Sequence, residues 1–262
     1  MELAEQIARR SALEYADFLT PHLTADAHVL DLGCGDGGLS AGLLPWCGRV
    51  TALDASASEF PSAAATLRLD MLAFVQADAG QLPFRDGTFD AVMAHSVLEA
   101  GVNRTRVLAE AHRVLKPGGL FAAASVDYGG LLLAGPDVEL LRRSNEIRQE
   151  IWLRSEADPF LGRSLRGLVT DAGFVDVEAT TKTFSYGTPS RVGEFAAGRA
   201  AECADAEFVA AAVDAGLSTM GEMADMASAW SRWAGSDAAY AAFTWGRVIC
   251  RRPGMSLQAD GR

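Results

Sequence analysis

An apolar run that ends beside an acid and breaks at once into glycines governs what this chain can fold into. The run is His28-Val29-Leu30-Asp31-Leu32, and Gly33-Cys34-Gly35-Asp36-Gly37-Gly38 follows without a spacer. A short apolar segment bounded by turn residues reads as a buried strand. Glycines directly after it let the backbone turn sharply and come close to a ligand. The helix expected over 38–46 then offers its N-terminus to that ligand. Strand, glycine turn and helix in this order are shared by the nucleotide-binding, doubly wound α/β folds.

Strands and helices keep alternating from there. Arg49 to Asp54 reads as a second strand and residues 56–69 as a helix. Leu72 to Asp78 reads as a third strand, Phe89 to His95 as a fourth, residues 103–115 as a helix and Leu120 to Val126 as a fifth strand. This pace predicts a parallel sheet with helices on both faces. Upstream, Leu3, Ile7, Leu13, Tyr15, Ala16 and Leu19 are spaced for an amphipathic helix over 2–20 that stops at Pro21. Downstream the pattern is less regular. Helices are expected over 136–156, 161–172, 189–203, 205–215 and 218–234, and strands over 174–186 and 242–252. The expected organisation is a single domain over 1–252. It comprises a cap helix within 1–26, a core over 27–126 and helical lid elements over 131–160 and 189–234. Residues 253–262 read as a tail.

Charge narrows the partners. The chain has 262 residues, 49% of them hydrophobic, and a net charge of −11. Nucleic-acid binders present a basic footprint. The nearest feature here is a scatter of Arg142, Arg143, Arg148, Arg154, Arg163 and Arg166, interleaved with acids, which reads as a solvated helix face. A polyanionic partner is disfavoured, and a neutral or cationic small molecule fits. No apolar run is long enough to span a bilayer, and the first residues lack a signal-peptide pattern. The four cysteines form no C-x-x-C pair and no His/Cys cluster suggests a metal, so a cytoplasmic protein with reduced thiols is expected, as monomer or homodimer.

Three acids, Asp31, Asp54 and Asp78, close the first three strands, each about one βα unit from the next. Ligands of open sheets bind beyond the carboxyl ends of the strands, so these carboxylates are expected along one rim of one cleft. Gly33, Gly35 and Gly38 also satisfy the dinucleotide pattern G-x-G-x-x-G, and Asp54 suits a ribose in either reading. Asp31 distinguishes the two. It would repel a pyrophosphate, whereas the ammonium and sulfonium of S-adenosylmethionine (SAM) attract a carboxylate. Asp78 adds an acceptor for an adenine amino group. A nicotinamide dinucleotide stays the outside alternative.

Further motifs carry a resemblance. Val29 to Gly37, Ala77-Asp78-Ala79-Gly80-Gln81-Leu82-Pro83-Phe84 with Phe89-Asp90-Ala91-Val92, and Arg113-Val114-Leu115-Lys116-Pro117-Gly118-Gly119 follow one another in order. Together they resemble the class I SAM-dependent methyltransferases, in particular the ubiquinone/menaquinone-biosynthesis type, over residues 7–126. Leu161 to Leu168 with Ala172-Gly173-Phe174 resembles the turn before that group's sixth strand, and the last 75 or so residues are similar only loosely. The resemblance implies a Rossmann-like, doubly wound sheet of seven strands with the last antiparallel. It implies SAM as cofactor and S-adenosylhomocysteine (SAH) as product. By position it places Asp31 near the methionine moiety, and Gly33, Cys34, Gly35 and Gly37 in the loop under the cofactor. It places Asp54 and Ala55 at the ribose, Asp78 and Ala79 at the adenine, and His95 and Ser96 where the fourth strand meets cofactor and substrate.

Methyl transfer from a sulfonium is a direct displacement in which alignment supplies much of the rate. A base helps when the acceptor is a hydroxyl or an ammonium. His95, Glu99, Asp127, Tyr128 and Tyr15 are the candidates. Glu99 reads as a helix-start or surface acid, and Asp127 and Tyr128 also suit a turn before Gly129-Gly130. Met220, Met223, Met226, Trp230 and Trp233 form a stripe that reads as core or dimer face. Trp152, Phe160, Tyr186 and Phe195 are placed to enclose an apolar acceptor. The expected activity is methylation of an O, N or C atom of a small molecule, a secondary metabolite or a quinone-like compound. The alternative keeps fold and cofactor but performs a cyclisation or a pericyclic step.

Overall fold

The computed structural model describes residues 12–60 and 71–254. In chain order the strands are β1 (His28–Leu32), β2 (Arg49–Asp54), β3 (Leu72–Gln76), β4 (Phe89–His95), β5 (Leu115–Ala134), β6 (Val175–Tyr186) and β7 (Tyr240–Arg251). The helices are α1 (Ala12–Tyr15), α2 (Gly38–Leu43), α3 (Arg104–Val114), α4 (Val138–Arg154), α5 (Leu165–Asp171), α6 (Pro189–Ala204), α7 (Ala206–Asp214) and α8 (Met220–Ala234). The strands form one sheet in the order β3-β2-β1-β4-β5-β7-β6. The pairs among β1 to β5 are parallel, and the β5–β7 and β7–β6 pairs are antiparallel. This is the Rossmann-like sheet expected from the sequence, with the antiparallel last strand that the family resemblance implies.

The chain falls into two compact units. Among the described residues, one holds 12–60, 71–125, Leu161–Thr180 and 246–254; the other holds Val126–Phe160 and Thr181–Trp245. In the first unit β1, β2 and β4 are apolar on both faces, as parallel strands covered on both sides must be. Alternate residues feed two cores. Leu30, Leu32, Val92 and Ala94 face α3 and α5 through Val107, Leu108, Ala111, Leu165 and Val169. Val29, Val50, Ala91 and Met93 face Leu39 and Leu43 of α2, together with Ala12, Ala16 and Leu19. Asn103 caps α3, its Oδ1 accepting the Arg106 amide at 3.1 Å.

The second unit packs α4, α6, α7 and α8 around its own core. Met223, Met226, Trp230 and Trp233 are buried there, which makes the methionine–tryptophan stripe core; Met220, at the start of α8, is 73% exposed. The two indoles satisfy their N–H groups, Trp230 on Ser144 Oγ at 3.0 Å and Trp233 on the Ala134 carbonyl at 2.7 Å. Thr219 starts α8 as a capping residue, its Oγ1 accepting the Glu222 amide at 3.1 Å.

Several boundaries differ from the sequence expectation. β3 ends at Gln76, which leaves Asp78 two residues beyond it. Pro21 opens a 3-10 turn over Thr20–His22, whereas α1 ends at Tyr15. Leu13 is 70% exposed, so it does not belong to the buried face that Ala16 and Leu19 share. Residues 161–172 divide into a 3-10 turn, Leu161–Ser164, and α5. β5 is longer than expected at both ends. Lys116 to Gly119 already belong to it, and a register irregularity between Phe89 and Ala91 of β4 absorbs the extra residues. At its far end β5 runs straight through Gly129-Gly130, which the sequence suggested as a turn. A β-carbon on Gly130 would meet Thr244 Oγ1 at 2.6 Å, so the glycine serves close strand approach. The helix expected over 56–69 falls largely on residues outside the described set, where only a 3-10 turn, Ala57–Glu59, is described. Leu3 and Ile7 also lie outside it.

Candidate active site

The glycine turn is tied to the end of β2. The Leu53 carbonyl accepts the amides of Gly33 at 2.7 Å and Cys34 at 3.0 Å. The Asp54 carboxylate accepts the Gly35 amide through Oδ2 and the Ser56 amide through Oδ1, both at 3.0 Å. Gly33, Gly35 and Gly37 have φ of +67°, +51° and +73°, the left-handed region that side chains resist. At Gly33 a β-carbon would also lie 2.5 Å from Val97 Cγ2. The turn is therefore a bare backbone cradle, closed underneath by Val97. At Gly35 the space where a side chain would be is open.

Asp31 lies within β1 and Asp54 ends β2, whereas Asp78 falls two residues past the end of β3. Strand register sets Asp31 opposite Ala52 and Met93, and Asp54 opposite Gln76. Asp31 is buried, and its Oδ2 accepts the Ser40 hydroxyl of α2 at 2.5 Å. Asp78 is exposed and accepts the Gly80 amide at 2.7 Å, which shapes the loop that holds Ala79. Ala55 ends the β2 turn, its carbonyl taking a hydrogen bond from Gln76 Nε2 at 3.0 Å. Cys34 is buried, and burial first, then the charges of Asp31 and Asp54, push its thiol far above the usual range. Both effects oppose formation of the thiolate.

His95 is the last residue of β4, opposite Ala124 of β5, and is buried. Tyr15 meets its ring edge-on at 5.4 Å. Ser96 follows in a left-handed conformation, φ +61°, unusual for a residue with a side chain and typical of functional turns. Glu99 corrects the sequence expectation. It is 1% exposed, no surface acid, and its Oε2 accepts the Ser125 hydroxyl at 2.7 Å. Asp127 and Tyr128 belong to the second unit. Asp127 Oδ1 accepts the Gly129 amide at 3.0 Å. Tyr128 meets Trp152 and Phe243 edge-on at 5.8 and 5.5 Å. Arg148 also departs from the solvated face expected of it: its guanidinium lies 5.0 Å from both the Tyr128 and Trp152 rings and 3.1 Å from Glu202. Tyr186 and Phe195 stack at 4.6 Å, and Phe195 and Phe243 lie 5.0 Å apart, so most of the expected aromatic residues gather in one cluster. Ser40, Val97 and Ser125 were not singled out from the sequence, because each matters only through a partner distant in the chain.

A methyltransferase-domain family model matches residues 30–123. Over those residues the chain carries a methyltransferase domain. The match runs from Leu30 in β1 to Ala123 in β5 and includes the glycine turn, Asp31, Asp54 and Asp78. A demethylmenaquinone methyltransferase of Lactococcus lactis is 32% identical over 168 residues, 57% of this chain and 66% of the relative. The chain spans 43% to 70% of the first curated relatives it matches. Among solved structures, the [4+2]-cyclase SpnF aligns with a TM-score of 0.54 at 22% identity, over 96% of this chain and 81% of that one. A Haemonchus contortus phosphoethanolamine N-methyltransferase 2 in complex with S-adenosyl-L-methionine aligns with a TM-score of 0.52 at 16% identity, over 88% of this chain and 50% of that one. These two likenesses establish the methyltransferase fold. No helix among the described residues is long and apolar enough to cross a membrane, and no group of three metal-ligating side chains occurs among them.

Proposed function

We propose that this chain is a SAM-dependent methyltransferase that methylates an O, N or C atom of a small organic molecule, a secondary metabolite or quinone-like compound. The observation that carries the reading is the bare glycine turn held by Asp54, with the buried carboxylate of Asp31 behind it. That donor set fits a cation-bearing nucleoside and not a pyrophosphate. Asp31 would hold the methionine end, Asp54 and Ala55 the ribose, and Asp78 and Ala79 the adenine. Gly33, Cys34, Gly35 and Gly37 would let the backbone come close. His95 and Ser96 would stand at the end nearest the acceptor. SAM supplies a methyl group already activated on a sulfonium.

The chain's own task is then to orient the acceptor, exclude water and move a proton where the acceptor carries one. His95 is the candidate for that proton, because it is an imidazole buried at the end of a central strand. Tyr15 fixes its ring from the side. Asp127 and Tyr128 are further candidates. The aromatic cluster around Tyr128, Trp152, Tyr186 and Phe195 suits a flat, apolar acceptor.

Incubation with methyl-labelled SAM and a panel of phenols, quinols and amines tests the reading. Label in a product one methylene heavier, with an equivalent of SAH, is expected. Conversion of a compound without label transfer would assign the site to cyclisation or a pericyclic step instead.

A further inference from the structure

We propose that Glu99 is a positioning residue for the SAM site, acting through Ser125 and Val97. The inference rests on the methyltransferase reading above. A carboxylate taken out of water is costly unless its environment compensates it. Glu99 is 1% exposed, and Ser125, its hydroxyl partner at 2.7 Å, is equally buried.

The residues between β4 and α3 show what this contact holds. The turn begins at Ser96, whose amide donates to the Ala124 carbonyl of β5 at 2.9 Å. Its next residue, Val97, places Cγ2 against Gly33, close enough that any side chain at 33 would collide with it. Ala100 closes the turn by donating to the Val97 carbonyl at 3.1 Å, and Arg104 Nε donates to the Leu98 carbonyl at 2.8 Å. Glu99 adds the second tie to β5, one residue beyond Ala124. The turn is thus pinned to β5 at successive residues, through Ser96 by backbone and through Glu99 by side chain. Val97 sits between the two pins. On the other side, Leu53 and Asp54 hold the same glycine turn. The cradle is therefore clamped between the end of β2 and Val97, and the Glu99–Ser125 contact keeps Val97 in place. Loss of that contact lets the turn shift and loosens the backbone that receives the cofactor, with no group that touches the cofactor removed.

Calorimetric titration with SAH, alongside thermal melts without ligand, tests this on the full chain. Ser125→Ala and Glu99→Ala are expected to weaken SAH binding about three- to tenfold, the effect of losing one buried hydrogen bond. Combined, they are expected to weaken it no more than either does alone, because both remove the same contact. Glu99→Gln keeps an oxygen that accepts the Ser125 hydroxyl and is expected to bind SAH within about twofold of the unaltered chain. Ser125→Ala and Glu99→Ala binding SAH as the unaltered chain does, with only their melting temperatures lowered, would overturn the proposal. So would Glu99→Gln binding as weakly as Glu99→Ala, which would assign the effect to charge. If Glu99→Ala fails to fold, Ser125→Ala, which removes a single hydroxyl, decides the matter. Should the unaltered chain itself not bind SAH, the methyltransferase reading fails and this inference with it.

Discussion

The Asp54 carboxylate accepts the Gly35 amide at 3.0 Å, so an acid at the end of β2 and a glycine in the turn after β1 act as one unit. The family resemblance gives Asp54 to the ribose; the structure gives it the loop as well. Asp54→Ala removes both roles, and SAH affinity is expected to fall at least about tenfold, a charge-assisted hydrogen bond being worth about 1.5–3 kcal/mol. Asp54→Asn keeps one acceptor oxygen and is expected to lose less. Titration of both variants checks the order. Equal, unaltered affinity would separate Asp54 from the site.

Gly33 and Gly35 share a left-handed φ, but only Gly33 has Val97 against it. Gly35→Ala meets the backbone cost alone, about 1–2 kcal/mol. Gly33→Ala adds a collision worth about 1–3 kcal/mol more. Gly33→Ala is therefore expected to melt several degrees below Gly35→Ala and to bind SAH more weakly. Melting curves that reverse the order would contradict the packing described for Val97.

Much of this arrangement is legible in the sequence, for a physical reason. Strands β1, β2 and β4 are covered on both faces, so they read as near-continuous apolar runs, and the glycines and acids at their ends stand out against them. What the sequence conceals depends on distant partners. Glu99 looks like a surface acid because Ser125, which accommodates it, is 26 residues further on. Gly129-Gly130 looks like a turn because glycine marks turns and close approach alike, and only Thr244 on β7 shows that close approach applies. Arg148 looks solvated until Tyr128, Trp152 and Glu202 converge on it.

The loop that follows Asp78 and Ala79 is held by ions. Arg113 donates to the Leu82 and Phe84 carbonyls, to Asp86 and to Glu110, while Glu110 Oε2 also accepts the Leu82 amide at 2.7 Å. The Arg113 hydrogen bond, helped by the Leu82 amide and opposed by burial, holds the Glu110 carboxyl below its ordinary range. A carboxyl lowered in the folded state contributes stability above its unfolded value, about 4.3, and loses it as pH falls through the folded value. The stability difference between the unaltered chain and Glu110→Gln is expected to be level above about pH 5 and to shrink in acid. Urea midpoints measured from pH 7 down to 3.5 check this; a constant difference would contradict the assignment.

Trp233 anchors the second unit through its buried ring and its bond to the Ala134 carbonyl. Trp233→Ala is expected to cost about 3–5 kcal/mol, and Trp233→Phe, which strands that carbonyl, about 1–3 kcal/mol. Chemical denaturation of the two variants reads both. A Phe variant as stable as the original would show that the hydrogen bond contributes nothing.

Calorimetric titration of the purified chain with SAH, repeated with NAD under the same conditions, tests the central claim most directly. The electrostatic account predicts saturable SAH binding in the range of about 1 μM to 1 mM and none for NAD. No SAH binding, or tighter binding of NAD, would contradict it.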